Sequence, residues 1–262
     1  MNKKFKTDVV IVATAIRTRF WQEIYDNLTK NKSSFHLVFV GHTRPTFLLP
    51  ENFTYIYSEL KPAACVEIAY RYAHKNIDAR FIMHTADDFI MQPYYLDRMI
   101  SGYDRLKKQY NDEMLMITQI SIQVDGSYDF MALEQKGPVT GIGPFTTMEN
   151  SKKIGTLDKR FSSVCWDMDR VYRFYAMGGI MRPLQENEVP PVRERPDGQN
   201  TQWTTYSKVD FSLFQSFWNK IKKGYGRVAT CEMINGKNYF DEGLFYYERN
   251  CPVEKYTDEE LK

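Results

Sequence analysis

The chain has 262 residues and a formal net charge of +2, with 43% hydrophobic and 26% charged residues. That length can bury a sizeable core, as one domain or one domain with an appendage, and the near-balanced charge sets up no field that would select nucleic acid. Cys65, Cys165, Cys231 and Cys251 are scattered, form no CxxC pair and read as the reduced, buried thiols of a cytoplasmic protein. The first apolar run soon meets Arg17 and Arg19, too early for a signal peptide, and no other stretch is expected to span a bilayer.

Residues 8–14 (DVVIVAT) form a near-continuous β-branched run, the pattern of a strand buried on both faces in a parallel sheet. In the next stretch Phe20, Ile24 and Leu28 recur at helical spacing. Residues 35–40 and 53–57 read as the second and third strands, the former ending in Gly41-His42-Thr43. Pro62 opens a helix with Ala64, Ile68, Ala69 and Tyr72 on one stripe. Residues 81–84 are a fourth strand, and Pro93 opens another helix. This succession predicts a doubly wound α/β fold with right-handed crossovers.

Residues 114–124 predict a further long strand, and 126–153, rich in Gly-Pro pairs, a loop. Residues 166–177 read as a helix stopped by Gly178-Gly179. Residues 184–202 are polar with three prolines and are expected to form a mobile loop or lid. An amphipathic helix is expected over 211–223, then an aromatic stretch and a frayed acidic tail. The expected division is a core over 1–183, with 184–262 a mobile loop and a C-terminal helical and aromatic extension packed on it.

The segment 80–93, RFIMHTADDFIMQP, places adjacent carboxylates, Asp87 and Asp88, where an apolar strand ends. Open α/β sheets bind ligands at that edge, and hard oxygen ligands favour Mg²⁺ or Mn²⁺ bridging to phosphates. The same pair also reads as a polar turn with Asp88 capping the next helix.

Three segments carry a family resemblance. VVIVATAIRTRFWQEIYDNL is similar to the opening strand and helix of the inverting family 2 glycosyltransferases, keeping Thr14 and Arg17 of their turn. FIMHTADDFIMQPYYLDRMI resembles their DxD segment. CWDMDRVYRFYAMGGI resembles a later acidic segment, with Asp167, Asp169, Arg173 and Gly178 at the matching positions. The resemblance spans roughly the first 180 residues and implies the GT-A fold, Rossmann-like with a mostly parallel sheet. It implies transfer of a sugar from a nucleoside-diphosphate donor to an acceptor hydroxyl, inverting and assisted by Mn²⁺ or Mg²⁺, in carbohydrate biosynthesis. The acceptor would be a glycan or a lipid- or protein-linked group. No nucleic acid is expected as partner, and Lys208 and Lys222-Lys223 leave peripheral membrane contact open.

On this resemblance Asp167 is the catalytic base, Asp87 and Asp88 hold the metal, and Thr14, Arg17, His42, Thr85, Asp87, Trp166 and Asp169 form the donor site. Asp169 reads as a supporting residue, with Arg173 free to pair with it at i, i+4. Trp203 is a candidate for facing ligand, and His84 reads as a satisfied core histidine. The chain departs from the pattern in four places. Thr85 replaces the first DxD acid, Trp166 the glutamate before Asp167, and Gly41-His42-Thr43 the acidic pair that holds base and ribose. All four histidines precede residue 90, so a third metal ligand would fall to Asp210, Asp241 or water. Two alternatives stay open: a nucleotidyltransferase, against which the glycine-free turn ATAIRTRF counts, and a non-catalytic nucleotide- or carbohydrate-binding module with a decayed site.

Overall fold

A computed structural model describes residues 4–111, 113–118, 121–122, 128–129, 144–184, 188–189, 192–195, 201–222 and 245–262. The first half alternates strand and helix: β1 (Phe5–Thr14), a 3-10 turn (Thr18–Phe20), α1 (Trp21–Leu28), β2 (Phe35–Gly41), β3 (Phe53–Tyr57), α2 (Pro62–Asn76), β4 (Ile77–His84), the short β5 (Phe89–Ile90) and α3 (Tyr95–Tyr110). The second half adds β6 (Leu115–Thr118), β7 (Ser121–Ile122), β8 (Tyr128–Asp129), β9 (Phe145–Thr147), α4 (Met148–Ile154), α5 (Trp166–Ala176), β10 (Ile180–Pro183), β11 (Val192–Glu194), α6 (Thr201–Phe217), β12 (Trp218–Lys222) and β13 (Phe245–Arg249).

Seven strands form the main sheet in the order β10-β6-β9-β4-β1-β2-β3, parallel except for β9, which runs antiparallel to both neighbours. The β1 sequence explains its central place. Val9, Ile11 and Ala13 point to one face, against Trp21, Ile24, Leu28, Tyr95 and Met99 of α1 and α3. Val10 and Val12 point to the other, against Val66, Tyr70, Trp166 and Phe214 of α2, α5 and α6. Every one of these β1 side chains is fully buried, as the two-sided apolar pattern demands. A small sheet, β5-β11-β7-β8, and the pair β12-β13 complete the described residues.

Several boundaries differ from those expected. The stretch read as one strand over 114–124 is divided between sheets, β6 in the large one and β7 in the small. The region 126–153, expected as loop, contains β9 and α4. Thr146 Oγ1 and Asn150 Nδ2 both donate to Leu115 O, at 2.7 and 3.4 Å, tying α4 to the sheet. The expected lid over 184–202 supplies β11, which lies between β5 and β7. Helix α6 starts ten residues before the expected 211 and ends at Phe217, where β12 takes over. The tail is anchored rather than frayed. Cys251 and Tyr256 pack on the core, Arg71 pairs with Asp258 at 2.8 Å, and Lys159 with Glu260 at 2.7 Å. Among the described residues no helix is long and apolar enough to cross a membrane. Cys65, Cys165 and Cys251 are free thiols, the first two buried, and Cys231 and Asp241 lie outside the described residues.

Candidate active site

In the strand order 3-2-1-4 the direction of winding reverses between β1 and β4, the point at which open α/β sheets form a ligand crevice at their carboxyl ends. A cleft of about 800 Å³, counting its open mouth, lies there. Its walls come from the ends of β1 (Thr14, then Ile16 and Arg17), β2 (Gly41, His42) and β4 (His84, Thr85, Ala86), from Leu60, Pro62 and Cys65 at the start of α2, and from Ser163 and Trp166 before α5. Thr14, Arg17, His42, Thr85 and Trp166, assigned to the donor site from the sequence, thus line one cleft.

Gly41 explains why no acid ends β2. A Cβ built there would lie 2.1 Å from the Ala15 carbonyl oxygen, so the close approach of the β1 turn admits only glycine. His42 stands exposed at the rim. Trp166 is 5% exposed and its Nε1 donates to Ser163 O at 3.1 Å. The loop carrying Ser163 is held by Asp210, fully buried in α6, which accepts the amides of Ser162, Ser163 and Val164 at 2.8–3.2 Å. Asp210 therefore shapes a cleft wall, and each of its oxygens already accepts amide hydrogen bonds.

His84 differs from the satisfied core histidine expected. Its ring meets Trp166 edge-on at 4.5 Å, it lines the cleft, and its buried Nε2 has no hydrogen-bond partner. Burial, with the positive charge of Arg170 beside it, lowers its pKa to about 3, so the ring is neutral at physiological pH. A neutral imidazole can donate or accept toward a ligand. Only its place at the strand end, next to Thr85, marked it in the sequence.

The paired acids do different things. Asp87 is fully buried at the heart of the β1–α1 turn. Its Oδ2 accepts the amides of Ile16 at 2.7 Å and Arg17 at 2.5 Å and the Trp21 Nε1–H at 3.0 Å, and its Oδ1 accepts from Arg17 Nη1 at 2.7 Å. Three of the four N–H donors converge on Oδ2 and leave it no lone pair for a cation, and Oδ1 is held by the Arg17 guanidinium. Asp88, 5% exposed, pairs with Arg17 Nη2 at 3.0 Å, and its carbonyl accepts the Arg195 amide at 3.0 Å. The Arg17 guanidinium thus spans both carboxylates while facing the cleft. Arg19 is exposed, its guanidinium 4.6 Å above the Phe20 ring. Among the described residues no three His, Cys, Asp or Glu side chains cluster as a cation seat.

The later acids separate likewise. Asp167 lies in the first turn of α5, whose N-cap is Cys165, and lines a small recess with Tyr70, Ser151 and Arg170. Trp166 is the wall common to that recess and the cleft. Burial raises the Asp167 pKa, partly offset by hydrogen bonds from its own amide and that of Met168. Asp169, expected at the donor site, is instead fully buried in an ion network: Arg173 Nε at 2.9 Å, Arg249 Nε at 3.0 Å and Trp218 Nε1 at 3.1 Å all donate to it. It ties α5 to β12 and β13. The side chains of Trp203 and Lys222, and the whole of Lys223, lie outside what is described, and Lys208 is exposed on α6.

The order of the main sheet, its one antiparallel strand and the cleft at the switch point define the GT-A, Rossmann-like fold. The chain is similar in structure to TarS of S. aureus. Against its 1–349 crystal structure the TM-score is 0.51 at 11% identity, covering 81% of this chain and 63% of that one. Against a longer TarS crystal structure the TM-score is again 0.51 at 11% identity, covering 79% of this chain and 39% of that one. The chain therefore spans less than two thirds of the length of these neighbours. No protein-family model and no curated sequence matches it.

Proposed function

We propose that this chain is a glycosyltransferase that moves a sugar from a nucleoside-diphosphate donor to an acceptor hydroxyl, with inversion at the anomeric carbon. One observation carries the reading. Five of the seven residues assigned to the donor site, Thr14, Arg17, His42, Thr85 and Trp166, distant in sequence, share one cleft at the switch point of a GT-A sheet, while Asp87 and Asp169 do not line it. The likeness to TarS supports the fold on which that reading rests.

On this reading the base and ribose lie between the Gly41–His42 edge and the Trp166–His84 wall. The diphosphate lies toward Arg17, whose fork of donors suits phosphate oxygens. The acceptor hydroxyl needs a base, since its own pKa lies far above neutral. Asp167 takes that role, and burial, by raising its carboxyl pKa, makes it a stronger proton acceptor. It lines the recess that shares Trp166 as a wall with the cleft.

The test is to incubate the chain with a panel of nucleotide sugars and follow the products. Release of a nucleoside diphosphate and free or transferred sugar is expected. Release of pyrophosphate from a nucleoside triphosphate with a sugar phosphate would mark a nucleotidyltransferase instead. Tight binding without turnover, across donors and acceptors, would mark a binding module.

A further inference from the structure

We infer that Asp87 is a positioning residue rather than a metal ligand: it holds the β1–α1 turn so that Arg17 presents its guanidinium to the donor's diphosphate. The inference rests on the nucleoside-diphosphate reading above. The turn leaves β1 as Ala15-Ile16-Arg17, with Arg17 at φ −102°, ψ 65°, outside helix and strand. Two successive amides, Ile16 and Arg17, point inward to Asp87 Oδ2, and the Trp21 indole closes on the same atom. Rotation of the Ile16 or Arg17 peptide would break one of these bonds. Arg17 Nη1 on Asp87 Oδ1 then fixes the guanidinium plane, and Nη2 is drawn to Asp88.

Asp87 is fully buried and Arg17 12% exposed by side chain, so the guanidinium, and not the Asp87 carboxylate, is the group a ligand can touch. Three of the four donors on Asp87 belong to backbone or indole, so much of its charge is met without the Arg17 guanidinium. A divalent cation at this edge would be held by Asp88 and the phosphate oxygens, leaving Asp87 as it is.

Wild type, Asp87→Asn and Arg17→Lys are titrated by calorimetry with UDP, GDP, CDP, ADP and TDP and with the matching nucleosides, each in EDTA and in Mn²⁺. Asp87→Asn is expected to weaken the preferred diphosphate at least about tenfold, in the range of a lost charge-assisted contact, while the nucleoside binds nearly as before. A purely structural lesion would weaken both in proportion. The factor by which Mn²⁺ strengthens binding should be the same in Asp87→Asn as in wild type. If Asp87→Asn does not fold, Arg17→Lys keeps the charge, loses the fork and should show the same selective loss. Loss of the Mn²⁺ effect in Asp87→Asn, or equal loss of nucleoside and diphosphate in either variant, overturns the inference and leaves the functional reading standing. Wild type that binds none of the five diphosphates overturns both.

Discussion

Asp87 accepts four hydrogen bonds beneath the turn that carries Arg17. Removing one partner of a buried, hydrogen-bonded charge pair costs about 3–5 kcal/mol, because the remaining groups are left unsatisfied. Asn at 87 would turn an amide toward donors, so Asp87→Asn should lower unfolding stability by about that much, measured by urea titration. Asp88→Asn, with a second acid left to hold Arg17, should cost less. Equal stability of Asp87→Asn and wild type would refute the clamp. Asp167 and Asp169 make a second contrast. Asp167→Asn should lower turnover by about 10²- to 10⁴-fold with donor affinity hardly changed. Asp169→Asn should lower stability instead, since it removes the buried carboxylate shared by Arg173, Arg249 and Trp218. A turnover loss in Asp169→Asn larger than that in Asp167→Asn, with stability intact, would reverse the two assignments.

At the scale of elements, the first hundred residues were readable because β-branched runs and helical stripes alternate there without ambiguity. Strands β1 to β4 and helices α2 and α3 stand within a few residues of expectation. The sequence also pointed to the cleft, since Thr14, Arg17, His42 and Thr85 all follow strand ends. It did not reveal which acids face it. Asp169 and Asp210 look like ligands in one dimension and are spent on arginines or amides in three, and only the fold shows who reaches them. The proline-rich stretch was legible only in part. Three residues of β-structure, 192–194, are too short to register as a strand, yet their pairing with β5 is completed by the Arg195 amide on Asp88 O at 3.0 Å. The Arg195 amide should therefore exchange its hydrogen slowly without donor, followed by NMR. Fast exchange that donor binding suppresses would restore the lid.

For the whole molecule, buried histidines set the acid limit. Burial lowers the pKa of His36 and His74 to about 4, with Arg170 and Lys152 adding to the effect at His74, and His84 falls to about 3. All three lie below the unfolded value of 6.5, so the unfolded chain binds more protons as pH falls through that value. Stability contributed by the neutral rings is full above about pH 6.5 and is lost progressively below it, by up to about 1.4 kcal/mol per pH unit per histidine. The urea midpoint should drop from pH 7.5 to pH 5, and His36→Gln should reduce the drop. An unchanged midpoint across that range would contradict the burial of these rings.

The central claim is that the cleft at the ends of β1, β2 and β4 holds a nucleoside diphosphate. A crystal structure of the chain soaked with the diphosphate that binds best tests it most directly. The account predicts the base between His42 and the Trp166–His84 wall and phosphate oxygens within hydrogen-bond distance of Arg17. Density for the nucleotide elsewhere on the molecule, with the cleft empty, would contradict it.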